Sequence, residues 1–126
     1  MFLSVGDRLG RYQILELLGS GGMGEVYLAE DLSLDRKVAL KFLPEEMQQD
    51  ETARKRFIRE AKSAAALDHP FICNIFEAGE VDGKGFIAME YVQGQTLKDK
   101  LADGPLPMAE ALRIASGVAD ALDLAH

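Results

Sequence analysis

A chain of 126 residues that is 48% hydrophobic has the size of one globular unit and is long enough to bury a core. Its 21 acidic residues against 14 basic ones leave a net charge of −7, which argues against nucleic acid or an anionic membrane surface as a partner. The single cysteine, Cys73, excludes an internal disulfide, fits a reducing cytoplasm and reads as a small buried apolar residue.

The N-terminal Met1-Phe2-Leu3-Ser4-Val5 lacks the basic start of a signal peptide, and no apolar run approaches the ~20 residues of a membrane span. A cytoplasmic location with no membrane contact is expected for this segment, any anchor being left to sequence outside it. The first predicted strand covers 12–18 and the second 25–29, both rich in strand formers, with Gly19-Ser20-Gly21-Gly22-Met23-Gly24 between them. A dinucleotide fingerprint would need these glycines between a strand and a helix, and a Walker-type loop would end in Gly-Lys-Ser/Thr. Gly24 is followed by Glu25 and Val26, so both readings fail. Two remain: a hairpin whose missing Cβ atoms let backbone N–H groups approach phosphate oxygens, or a hairpin tip with no ligand.

In the next strand, Val38-Ala39-Leu40-Lys41-Phe42, alternation puts Ala39 and Lys41 on one side and Val38, Leu40 and Phe42 on the other. A helix is expected over 50–67, with Asp50 as N-cap and Asp68-His69-Pro70 at its end. At 3.6 residues per turn Ala53, Phe57, Ala61 and Ala64 share a face, and Glu60 falls within that stripe. A carboxylate buried there without a partner costs several kcal/mol, and the inward Lys41 is the candidate cation, the alternative being that Glu60 snorkels to the helix edge. Otherwise the charged stretch 45–62 reads as a solvated loop and helix face.

Two further strands are expected over 71–80 and 85–92, joined around the hairpin dipeptide Asp82-Gly83 and completing a five-stranded antiparallel sheet. A short helix over 96–101 follows, then a break at Asp103-Gly104-Pro105 and a long helix from Pro107 onward. Met108, Ala111, Leu112, Ala115, Val118, Ala119 and Leu122 form its apolar stripe, widened by Ile114, Ala121 and Ala125.

The order Gly19, Gly21, Gly24, Lys41, Glu60, each on its expected element, resembles the N-terminal lobe of the eukaryotic-type (Hanks-type) Ser/Thr protein kinases, above all their bacterial members. The resemblance runs from about Leu9 to His126. It implies an α+β fold: a five-stranded antiparallel sheet with one regulatory helix over 1–92, then the hinge exit and first helices of the C-terminal lobe over 93–126. It implies ATP as cofactor, covered by a flap of Leu18, Gly19, Ser20, Gly21, Gly22, Met23 and Gly24, with Lys41 on the α/β-phosphates and Glu60 fixing that lysine. It also implies that Val26 and Ala39 lie above the adenine and Leu97 below it. Met89 would be the gatekeeper, the backbones of Glu90 and Val92 would bond the adenine edge, and Ala64 and Ile75 would stack behind the Lys41–Glu60 bridge.

The family's His-Arg-Asp catalytic loop and Asp-Phe-Gly magnesium site have no counterpart in these residues and would lie past His126. No metal ligand is therefore assigned here, Mg²⁺ is expected only with the full-length parent, and this chain alone is expected to be inactive. The parent would transfer the ATP γ-phosphate to Ser or Thr of a protein held through the missing lobe, the preference over Tyr resting on family likeness. The alternative is a non-catalytic, kinase-like module for nucleotide binding or dimerisation. The uncovered apolar stripe predicts a homodimer or helix exchange through 107–126.

Overall fold

The computed structural model describes residues 3–22 and 24–126. Among the described residues ten elements follow one another: β1 (Arg8–Leu9), β2 (Tyr12–Gly21), β3 (Gly24–Asp31), β4 (Arg36–Phe42), α1 (Glu45–Gln48), α2 (Glu51–Ala65), β5 (Ile75–Val81), β6 (Lys84–Glu90), α3 (Leu97–Leu101) and α4 (Met108–Ala125). They divide into two compact units. The first holds the chain up to Ala66 together with Asn74–Tyr91, and the second holds Leu67–Cys73 with Val92–His126.

The first unit is an antiparallel sheet in the order β1-β2-β3-β4-β6-β5. It has six strands where the sequence predicts five. The extra one, β1, pairs Arg8 with Gln13 and Leu9 with Tyr12 across a turn at Gly10 (φ +58°), and two residues are too few to carry an alternating pattern. Val38, Leu40 and Phe42 of β4 project into a core shared with Ile14, Tyr27, Ala29, Phe86 and Ala88. Tyr27 meets Phe42 of the neighbouring strand edge-on at 5.7 Å between ring centroids, and Tyr12 of β2 meets Phe86 of the non-adjacent β6 in the same way. The side of β4 that carries Ala39 and Lys41 is thereby left for the site.

At the outer end of β2, Arg11 reaches Glu77 at 3.1 Å, and Tyr12 donates its hydroxyl to the same carboxylate. Burial and then that hydrogen bond push the Tyr12 phenol up to about 12, so it stays a donor at neutral pH. The fully buried Asp31 accepts from the N–H groups of Ser33 and Leu34 at 3.0 and 3.2 Å and faces Arg11 Nε at 3.3 Å.

Asp50 caps α2 as expected, its Oδ1 accepting from the N–H groups of Thr52 and Ala53 at 3.0 and 3.2 Å. The helix ends at Ala65 and packs on β5 and β6. Between β4 and α2 the stretch expected to be a solvated loop folds instead into α1, whose Gln48 is buried. Strand β5 starts at Ile75, four residues later than predicted, because Phe71 N–H donates to His69 Nδ1 and Ile72 N–H to His69 C=O, curling 69–72 into a turn. Cys73 lies in that loop and is exposed, which corrects its reading as a buried residue. Asp82 and Gly83 both take left-handed conformations (φ +54° and +77°), giving the two-residue hairpin that pairs Val81 with Lys84.

In the second unit Thr96 caps α3 by accepting from Asp99 N–H at 3.0 Å. Pro107 precedes α4 as its N-cap, and Lys100 pairs with Glu110. The Phe71 ring lies against Gly117, where a Cβ would come within 3.3 Å of it, and His69 Nε2 stands 3.2 Å from Asp120. Met108, Leu112, Val118 and Leu122 of α4 are exposed. Among the described residues no helix is long and apolar enough to cross a membrane.

Candidate functional site

Strands β2 and β3 stay paired to the tip of the glycine hairpin, with Gly19 opposite Val26, Ser20 opposite Glu25 and Gly21 opposite Gly24. The glycines there differ in what they do for the fold. Gly24 has φ +110°, and a Cβ on it would stand 1.9 Å from the Phe42 carbonyl oxygen, so only glycine fits. Gly19, Gly21 and Gly22 have negative or extended φ, and a Cβ on any of them would meet nothing within 4 Å. Nothing among the described residues asks for glycine at those three positions.

The hairpin roofs a cavity of about 320 Å³ lined by Gly19, Ser20, Gly21, Gly22, Gly24, Val26 and Lys41. Lys41 reaches this place because β4 puts it opposite Val26 on β3 and Ile87 on β6, on the face away from the core. Lys41 and Gly22 also line a second cavity of about 510 Å³, walled by Leu43, Pro44, Met47, Phe57, Glu60, Ala61, Ala64, Ile75, Ile87 and Met89. One ammonium thus borders both the glycine-lined cavity and a mostly apolar chamber.

Glu60 shares that chamber with Lys41, as the stripe 57, 60, 61, 64 on α2 requires. The expected bridge between them is not closed: among the described residues no ion pair joins Lys41 to Glu60. Glu60 is exposed, so it sits at the wet edge of the apolar stripe, and the desolvation that would force a partner on it is absent. Ala64 and Ile75, expected behind the pair, both line the chamber, as does Met89.

Ala39 is buried opposite Met89 on β6 and borders neither cavity. Glu90 is held by a reciprocal contact, its N–H donating to Asn74 C=O at 2.8 Å while its Oε1 accepts from Asn74 N–H at 3.2 Å. Leu18 is exposed at the start of the hairpin tip. Val92 and Leu97 belong to the second unit, where both are exposed. Met23 lies outside the described residues. The sequence reading missed Leu43, Pro44, Met47 and Ile87. Of these Ile87 was within reach, since alternation along 86–92 places it on the side of Met89.

A family profile described as "Protein kinase domain" matches residues 12–126. The chain is 50% identical over 124 residues to the serine/threonine-protein kinase PrkC of Bacillus subtilis, covering 97% of this chain and 19% of that protein. It is 44% identical over 124 residues to the serine/threonine-protein kinase PknJ of Mycobacterium tuberculosis, covering 98% of this chain and 21% of that one. It superposes on a crystal structure of a double mutant of the M. tuberculosis PknI kinase domain with a TM-score of 0.86 at 41% identity, covering 100% of this chain and 51% of that one. The chain therefore spans about a fifth of the length of these relatives and about half of the solved domain.

Proposed function

This chain belongs to the protein kinase family, and on that premise we propose that it is the ATP-binding part of an enzyme that transfers the γ-phosphate to Ser or Thr side chains of proteins. The observation that carries the reading is the idle glycines. Three residues for which no described residue requires the lack of a side chain line a cavity with an ammonium, and close backbone approach by phosphate oxygens supplies a reason. In this reading the N–H groups of 19–22 cradle the phosphates and Lys41 neutralises charge on the α- and β-phosphates. Glu60, already in the same chamber, closes on Lys41 when nucleotide fixes the ammonium. Met89 and Glu90 lie on the strand that would border the adenine, with Ala39 beside Met89.

Phosphoryl transfer relies on positioning and on metal ions that neutralise developing charge. Neither a His-Arg-Asp nor an Asp-Phe-Gly triplet occurs in this sequence, so its own residues bind and orient ATP and leave the base and the Mg²⁺ ligands to the rest of a full-length kinase. The test is an ATP titration of the 126-residue chain followed by ¹H–¹⁵N NMR. Signals of Gly21, Gly22 and Lys41 are expected to shift with saturation. Gly21→Ala, where the added methyl has open space in the fold, should keep the wild-type melting temperature yet bind ATP about fivefold more weakly. Immobile signals at saturating ATP would remove the reading.

The exposed apolar side of α4 favours a second role in the same chain, pairing with another copy through 107–126. Light scattering is expected to give twice the monomer mass at micromolar concentration. A monomer at all concentrations would leave nucleotide binding alone.

A further inference from the structure

We propose that Gln48 is a positioning residue for the Lys41–Glu60 pair, acting through the corner between β4 and α2. The proposal rests on the nucleotide reading above and adds to it a residue that touches neither cavity.

Gln48 is buried within an otherwise charged, exposed stretch, and its amide is used at both ends. Its Nε2 donates to the Gly85 carbonyl at 3.1 Å and to the Leu43 carbonyl at 3.4 Å, while its Oε1 accepts from Gly85 N–H at 2.8 Å. The side chain therefore pairs with Gly85 as a strand neighbour would, and ties the first turn after β4 to the start of β6. From the other side Arg54, one turn into α2, donates to the Gln48 carbonyl and holds Glu80 of β5 at 3.2 Å. Gly85 lies under both, a Cβ there coming 3.7 Å from Gln48 Oε1 and 3.8 Å from Arg54 Cγ.

This clamp spans the only covalent path from the lysine to the glutamate. Lys41 lies two residues before Leu43, one of the carbonyls Gln48 holds, and the Asp50 cap of α2 lies two residues after Gln48. Leu43, Pro44 and Met47, all inside the clamped corner, wall the chamber into which Lys41 and Glu60 both face. With no ion pair closed between those charges, their common facing is set by the backbone that carries them. Releasing the corner frees α2 to slide or turn on β5 and β6, and Glu60 moves with it. A buried amide that serves two carbonyls and one N–H cannot be replaced by an apolar side chain without leaving those groups unmet, so the restraint is specific to this residue.

The experiment compares wild type, Gln48→Leu, Gln48→Glu and the core variant Ile14→Val of this 126-residue chain, with ATP as the probe and NMR and thermal melting as readouts. Gln48→Leu is expected to weaken ATP binding about tenfold. Ile14→Val, which trims the core at a residue lining neither cavity, should lower the melting temperature yet bind ATP as wild type does. Gln48→Glu keeps the acceptor for Gly85 N–H and loses the donor, so it should bind weakly at neutral pH. Relative to wild type at each pH it should recover as acid protonates the buried carboxyl and restores an O–H donor. ATP affinity of Gln48→Leu equal to that of wild type overturns the proposal. Should that variant not fold, a Gln48→Glu affinity that stays parallel to wild type at every pH overturns it. Absence of ATP binding by wild type is a separate result, and it removes the nucleotide reading together with this one.

Discussion

Gly24→Ala is expected to cost at least ~3 kcal/mol of stability and to abolish nucleotide binding, whereas alanine at the neighbouring Gly21 leaves the fold intact. The contrast follows from what a methyl group would meet. At Gly24 the Cβ would stand 1.9 Å from the Phe42 carbonyl oxygen, well inside any van der Waals contact, and the obstacle is backbone that cannot rotate away. The residue is also held at φ +110°, where an L side chain is strained even in open space. Relief requires the end of β3 to lift from β4 near the Glu25–Phe42 and Val26–Lys41 pairs, which also displaces Lys41. Chemical denaturation of the two alanine variants side by side checks this. Equal stabilities would mean that the approach of Gly24 to β4 is not a feature of the folded protein.

Lys41→Met is expected to leave stability within about 0.5 kcal/mol of wild type while lowering phosphoryl transfer in a full-length kinase carrying this sequence on the order of 10²- to 10³-fold in kcat. The two halves have separate causes. Stability survives because Lys41 closes no ion pair among the described residues, so its removal strands no buried carboxylate, and the methionine stem occupies the same strand position beside the chamber. Transfer is expected to fail because, in the proposed reading, the ammonium neutralises phosphate oxygens in a partly enclosed site, and it has no substitute among the described residues lining the glycine cavity. Steady-state phosphorylation of a protein substrate, with a melting curve on the same preparation, separates the outcomes. Undiminished transfer by a folded Lys41→Met enzyme would sink the role given to this residue.

Much of this site was legible in the chain because it rests on short-range rules. Alternation alone divides Val38, Leu40 and Phe42 from Ala39 and Lys41, and the structure buries the first three in the core and leaves Lys41 facing the cavities. The helical spacing of Phe57, Glu60, Ala61 and Ala64 puts all four on one wall, and Asp50 marks where that helix begins. What escaped depends on partners distant in sequence. Gln48 looks like one more polar residue among Glu45, Glu46, Gln49 and Asp50, and its burial is explained chiefly by the carbonyl and N–H of Gly85, 37 residues away, with the Leu43 carbonyl beside them. Phe71 and Ile72 have strand-forming side chains, yet His69 takes their N–H groups into a turn. The open Lys41–Glu60 pair corresponds to the alternative in which Glu60 snorkels to the helix edge, and helical phase alone could not choose it, since it shows that Glu60 faces the apolar stripe but not that water reaches it there.

The two units are interlaced along the chain, which crosses from one to the other at 66/67, 73/74 and 91/92. No one cut separates them: a cut after Tyr91 keeps the first unit whole but leaves 67–73 of the second attached to it. Trimming the polypeptide back to Tyr91 would keep the glycine hairpin, Lys41, Glu60 and Gln48, but it would take away Gly117 and Asp120, leaving the Phe71 ring and the His69 imidazole without the helix they rest on. Such a piece would still hold the first unit whole, with every group that the proposed reading assigns to the phosphates, and would carry 67–73 stripped of its own packing partners.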